Sequence, residues 1–270
     1  MNRFNALLRL DLRRLVHDPM LLLVVLGPLL LIAALRWGWP PLSDWLALRS
    51  GLELAAYTDL LAALTMLVVP QLAGIASGLL VLDERDAGLL AIYAVTPLRS
   101  SGYWGYRLLL PSAIALGMSG LFLVGSNLFA PDLRLGAVLV LLAAQAPIYA
   151  MALVALSANK VEGLALSKLV SLTVLAAPIA YWVPMPWQLL AAPLPGYWPA
   201  MLVLDHAPAG STVIGSMATG SAATGSTTIG SMATGSAATA RTALWLLCAV
   251  AIHGGHLWFW LRRCKRKLEL

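Results

Sequence analysis

His253 and His256 stand three residues apart in the last apolar run of this chain, a spacing that puts both imidazoles on one face of a helix. Two histidines so placed could be metal ligands or a step in a proton relay. No third ligand accompanies them, and paired histidines of this kind also serve as hydrogen-bonding groups across a helix bundle. Asp59 lies near one end of the second apolar run, where it reads either as a residue lining a gate or as a charge solvated at the interface. Gln71, Asn127 and Gln145 are neutral polar residues within or near the ends of such runs, suited to helix–helix hydrogen bonds or to the wall of a polar cavity. The phosphate loop GxxxxGK[ST], HExxH, CxxC and GxSxG do not occur, and no run carries a pair of carboxylates. The residue types therefore argue against an enzyme and assign no catalytic, metal or cofactor site.

The elements that would hold these residues are membrane helices. Sixty per cent of the residues are hydrophobic, 11% are charged and the mean hydropathy is +0.82, well outside soluble composition. Six apolar runs, at 20–35, 57–82, 108–129, 135–156, 164–183 and 243–261, each approach the roughly 20 residues that cross a bilayer as a helix. Continuous apolar runs exclude the alternation of barrel strands. The expected fold is all-α: six membrane helices preceded by an amphipathic interfacial helix.

The net charge of +6 does not call for nucleic acid. With the N-terminus inside, the cytoplasmic segments hold Arg3, Arg9, Arg13, Arg14, Arg85, Arg99, Arg107, Lys160, Lys168, Arg262, Arg263, Lys265, Arg266 and Lys267, while the outer ones hold only Arg36, Arg49, Arg134 and Arg241. This is the positive-inside pattern, and it predicts a multi-pass cytoplasmic-membrane protein with both termini cytoplasmic. The basic tail after the sixth run reads as a stop anchor touching anionic lipid. No cleaved signal peptide is expected. Cys248 and Cys264 suggest neither a disulfide framework nor a metal site.

Residues 1–18 read as the interfacial helix, with Phe4, Leu7, Leu8, Leu12 and Leu15 on one face and Arg9 and Arg13 opposite. Asp11 interrupts the apolar stripe. It is either a tolerated interfacial charge or the partner of a base such as Arg107. Residues 19–204 hold the first five spans, with an inner loop at 83–104 and a proline- and aromatic-rich outer segment at 184–204 that reads as a re-entrant or interfacial hairpin. Each of those five spans contains one proline: Pro28, Pro70, Pro111, Pro147 and Pro178. Residues 205–240 contain a tandem repeat, 210–224 followed by 225–239, that differs only at Val213 against Thr228. Its small uncharged residues predict a flexible outer loop. The sixth span follows at 241–261 and the tail at 262–270.

The island at 83–107, DERDAGLLAIYAVTPLRSSGYWGYR, is the long charged stretch between two apolar runs. Asp83 and Asp86 read as an N-cap signature. Leu89, Ile92 and Tyr93 then form an apolar patch at helical spacing, and Thr96 with Pro97 ends the helix. A short capped helix with an apolar knob, held between two spans, suits a lever that transmits a partner's movement.

DERDAGLLAIYAVTPL resembles the corresponding loop of ABC transporter permeases of the type-2 exporter class, with Glu84, Arg85, Gly88, Thr96 and Pro97 matching and Leu89 in place of the customary Thr. The entry DLRRLVHDPMLLLVVLGPLL resembles that family's opening, with His17 for its basic residue. ANKVEGLALSK resembles its second inner loop and LPGYWPA its outer Pro-x-x-Trp segment. The resemblance implies a non-catalytic permease subunit that works as a dimer, with a second copy or a paralogue, above separate ATPase subunits that hold the ATP and Mg. It implies that Glu84, Arg85, Asp86, Gly88, Leu89, Ile92, Tyr93, Thr96 and Pro97 couple to those subunits, and that the exported compounds are drugs or lipid-like. A secondary, ion-coupled transporter is the alternative; an anchor or intramembrane enzyme fits the residues less well.

Overall fold

The computed structural model describes residues 8, 9, 11, 13, 19–52, 54–96, 99–126, 128, 132–206 and 230–267. Phe4, Leu7, Leu12, Leu15, His17, Pro97, Asn127 and residues 207–229 lie outside the described residues. Among the described residues every regular element is helical, as the apolar runs predict. α1 is Pro19–Ala33, α2 Trp39–Ser50, α3 Thr58–Asp86, α4 Leu89–Val95, α5 Arg99–Ser126, α6 Leu133–Leu156, α7 Lys160–Ser171, α8 Ala176–Trp182, α9 Tyr197–His206 and α10 Gly230–Lys267.

Among the described residues five helical stretches are long and apolar enough to cross a membrane: Thr58–Asp86, Gly102–Ser126, Leu133–Leu156, Lys160–Trp182 and Thr239–Lys267. The first predicted run differs. Its α-helix has 15 residues and passes through a π-turn, Ala34–Gly38, directly into α2. The π-turn turns Arg36 toward the end of α5, where its guanidinium donates to the carbonyl of Gly125.

α3 and α6 form the buried centre of the bundle, and the other spans turn apolar residues such as Leu109, Leu169 and Leu247 outward, as lipid-facing helices do. The central pair approaches closely because α3 presents Gly74 and Gly78 one turn apart. A Cβ at Gly74 would lie 2.4 Å from the carbonyl oxygen of Ala146, and one at Gly78 would lie 3.0 Å from that of Ala150. Small residues at four-residue spacing are what lets two membrane helices approach to backbone contact.

Pro70, Pro111 and Pro147 sit inside unbroken helices. Pro178 has a larger local consequence. The residues ahead of it, Leu172–Leu175, wind as a 3₁₀ turn between α7 and α8, because proline has no N–H for the carbonyl of Val174. Beyond α8 come a 3₁₀ turn, Trp187–Ala191, and α9. α9 is too short to cross, yet Tyr197, Ala200, Leu202 and Val203 are buried where it packs on α3, α6, α8 and α10. Gln145 holds its approach, donating from Nε2 to the carbonyl of Pro195 at 2.6 Å. Across the gap between α9 and α10, Arg241 meets Asp205 at 2.6 Å, and Arg134 approaches the same carboxylate at 3.7 Å. Residues 230–239, the end of the second repeat, belong to α10 rather than to a loop.

Candidate functional site: a buried charge cluster beneath a short exposed helix

The acidic island does not cap a helix start. Residues 83–86 are the last turn of α3, and the reading of Asp83 and Asp86 as N-cap residues is corrected: the apolar run continues as one helix to Asp86. The chain then reverses through Ala87 and Gly88, whose amides donate to the carbonyls of Asp83 and Arg85. Gly88 takes φ +71 as the N-cap of α4, a left-handed conformation that glycine adopts without strain. Placed at the end of a helix, four consecutive charged residues point in different directions about its axis, and each reaches a different partner.

Glu84 points inward and is buried. Its carboxylate accepts from the Tyr103 hydroxyl at 2.6 Å, from Arg107 Nε at 3.2 Å and, through its other oxygen, from Arg107 Nη2. Arg107 is 1% exposed and also holds Asp11, with Nη1 2.9 Å from Oδ2 and Nη2 3.3 Å from Oδ1. The Tyr106 hydroxyl donates to Asp11 Oδ2 at 2.7 Å. Of the two readings of Asp11, the ion pair is the one observed: it turns into the protein while Leu8, Arg9 and Arg13 stay exposed. One guanidinium fork thus ties the N-terminal segment, α3 and α5 together, with two tyrosine hydroxyls filling the remaining acceptor sites. Such a pair is tolerable out of water only when hydrogen-bonded on all sides.

The other three charges knit a second node. Asp83 pairs with Lys160 Nζ at 2.9 Å, and Asp86 accepts the backbone N–H of Lys160 at 2.8 Å, capping α7 from outside. Arg85 donates to the carbonyl of Ser157 at 3.0 Å, and Lys267 reaches the same oxygen at 2.7 Å and that of Ala155 at 3.1 Å. Two cations therefore sit at the negative end of α6. Asn159 caps α7, and Glu162 returns a bond to the amide of Ala158. Lys267, read from sequence as part of a lipid-touching tail, is a bracket on α6 instead.

α4 stands on top of these nodes. Leu89 and Tyr93 are half-buried, and the Tyr93 ring stacks on Tyr103 at 5.1 Å. Ile92 turns outward at 56% exposure, and Val95, one turn on, is 87% exposed. The expected patch is thus divided: Leu89 and Tyr93 face the protein, while Ile92 is joined outside by Val95, which the sequence reading passed over although its i, i+3 spacing from Ile92 was visible. Thr96 closes the helix, its hydroxyl donating to the carbonyl of Tyr93 at 2.7 Å.

The polar residues within the spans bind helices together. Gln71 Nε2 donates to the carbonyl of Val170 at 2.9 Å and to Thr173 Oγ1 at 2.8 Å. Asp59, in the first turn of α3, keeps one buried oxygen without a hydrogen bond. The two histidines bond within their own helix. Each turns Nδ1 to the carbonyl four residues back in its own helix, His253 to Ala249 at 2.7 Å and His256 to Ile252 at 2.8 Å. Among the described residues no group of three His, Cys, Asp or Glu side chains converges as metal ligands.

A bundle of apolar helices, tied by a buried ion cluster to a short helix lying outside it, defines a polytopic membrane protein. The chain belongs to the family described as fluoroquinolones export permease protein Rv2686c-like, whose model matches residues 11–231. It is similar to the fluoroquinolones export permease proteins MT2760 and Rv2686c of Mycobacterium tuberculosis strains CDC 1551 / Oshkosh and ATCC 25618 / H37Rv. Each is 29% identical over 200 residues, which is 71% of this chain and 78% of the relative. No solved structure matches.

Proposed function

We propose that this chain is the membrane subunit of an ATP-driven drug exporter, working as a dimer in the cytoplasmic membrane and driven by separate ATPase subunits that carry ATP and Mg. Membership of an export-permease family supports the class, and the relatives' names support a drug as cargo. The observation that carries the ATP-driven reading is α4: two bulky aliphatic side chains exposed on a helix that is anchored from below through Tyr93 on Tyr103. The arginine excess of residues 85–107 and of the tail supports a cytoplasmic position for that end.

In this mechanism the ATPase closes on Ile92 and Val95. A push on α4 passes through Tyr93 to Tyr103, one turn from Arg107 on α5. The guanidinium carries it to Glu84 on α3 and to the N-terminal segment at Asp11. The chain itself hydrolyses nothing; it converts displacement of an outer helix into rotation of span ends. Ile92→Asp together with Val95→Asp is expected to cut co-purification of the ATPase at least about tenfold, the loss of a buried aliphatic pair, while the permease keeps its thermal stability. Undiminished co-purification and drug export in that variant would remove α4 from the mechanism.

A further inference from the structure

Lys168 is counted with the inner segments by sequence, yet it lies inside the fifth span. It is eight residues beyond Lys160 in α7, about 12 Å along the axis. The bonds from Gln71 to Val170 and Thr173 fix that depth independently. Gln71 is 13 residues from Thr58 and 15 from Asp86, by subtraction, and so marks the middle of α3. The Lys168 side chain is exposed and makes no hydrogen bond or ion pair to another described residue. Leu164, Ala165, Ser171, Leu172 and Leu175 surround it on the same exposed face at helical spacing.

An ammonium facing hydrocarbon at that depth costs about 2.5–3.5 kcal/mol on insertion scales. A four-carbon stem snorkelling toward the charged layer at Lys160 covers roughly half the distance. Directly above Lys168 the helix tightens into the 3₁₀ turn Leu172–Leu175 ahead of Pro178, while the stretch Lys160–Trp182 continues as a helix. Leu164, Leu172 and Leu175 are exposed, so the face that carries Lys168 is not covered by the chain's own bundle.

We propose that the exposed face of α7 lines the substrate pathway and that Lys168 binds the carboxylate of an amphiphilic drug, with Leu164, Leu172 and Leu175 taking its apolar body. The inference rests on the export-permease reading and names the chemistry of its cargo. The ammonium donates charge-assisted hydrogen bonds to the carboxylate, while the drug's aromatic portion covers leucines that would otherwise face water.

The test uses this protein in vesicles together with its co-purified ATPase and ATP, with a fluoroquinolone free acid and the same drug as its ethyl ester. Lys168→Gln is expected to raise the concentration for half-maximal transport of the free acid about 10- to 100-fold, with Lys168→Arg retaining most affinity and the ester unaffected by either. The effect should persist in purely zwitterionic lipid. If it disappears there, the lysine serves a net-anionic lipid headgroup and the proposal fails; equal losses for acid and ester also overturn it. A second arm needs no transport. With Cys248 and Cys264 replaced by alanine, Lys168→Cys should react with a water-soluble methanethiosulfonate, and the free acid should slow that reaction. Reaction only with a lipid-soluble maleimide places residue 168 in hydrocarbon and overturns the pathway assignment. Because labelling requires no ATPase, its outcome separates this inference from failure of the ATP-driven reading.

Discussion

Arg107→Met is expected to destabilise the protein by about 3–5 kcal/mol, the cost of leaving a buried charge without its partner. The geometry makes the prediction sharper than that of an ordinary ion pair. Arg107 is the cation between two carboxylates, Glu84 and Asp11, and its removal leaves both facing each other in a site from which water is excluded. Glu84→Gln or Asp11→Asn alone leaves a one-to-one pair and is expected to cost clearly less. Combining both with Arg107→Met should recover part of the loss, because the remaining groups are neutral. Arg107→Lys should fail to rescue, since an ammonium cannot engage two carboxylates and preserve the fork that spans them. Thermal unfolding of the detergent-solubilised protein reads all five variants. The arrangement described here is contradicted if Arg107→Met unfolds within a degree or two of wild type, or if the single carboxylate changes are the more harmful.

Gly74→Val is expected to have the second-largest effect, at the top of the about 1–3 kcal/mol range for overpacking or beyond it. The obstacle is backbone: the carbonyl of Ala146 lies 2.4 Å from where the new Cβ would be, with Tyr149 Cβ at 2.8 Å. Neither atom belongs to a flexible side-chain end, so relief requires α3 and α6 to separate. That movement would also disturb Gln71 and Gln145, which bind α3 and α6 to their neighbours. Gly78→Ala meets its nearest atom at 3.0 Å and should be milder. The same unfolding assay checks the order; a Gly78→Ala protein less stable than Gly74→Val would show that the two helices cross elsewhere.

Much of the fold was open to sequence reading because lipid restricts the choices. Runs of apolar residues near the length of a bilayer must be helices, and five of the six assigned runs are helices of that length. The first run was misjudged in extent because nothing in LIAALRWGWPP announces a π-turn that carries the helix on to Ser50. Lys168 falls both in the run at 164–183 and in the loop signature at 158–168, so local pattern left its depth open; the bonds from Gln71 to Val170 and Thr173 bear on it. Within the island at 83–107, the acids read as opening a helix instead end one. Spacing alone cannot distinguish acids that open a helix from acids that end one, and the deciding residue is Gly88, whose positive φ marks the reversal. Tyr103 and Tyr106 went unnoticed although they stand four and one residues before Arg107. An arginine beside two tyrosines at the mouth of a span is the signal that would have found them, since a buried guanidinium needs both counter-charges and hydroxyls around it. Gly74 and Gly78 were likewise legible as a small-xxx-small pair within α3.

The most direct measurement is drug uptake into sealed inside-out vesicles containing this protein alone, and containing it together with a phosphate-loop ATPase recovered by co-purification. Uptake should require the ATPase and hydrolysable ATP together, and should vanish when Ile92 and Val95 are both changed to aspartate. Uptake by the isolated protein along an ion gradient, indifferent to ATP, would contradict the coupling role assigned to α4 and to the charge cluster beneath it.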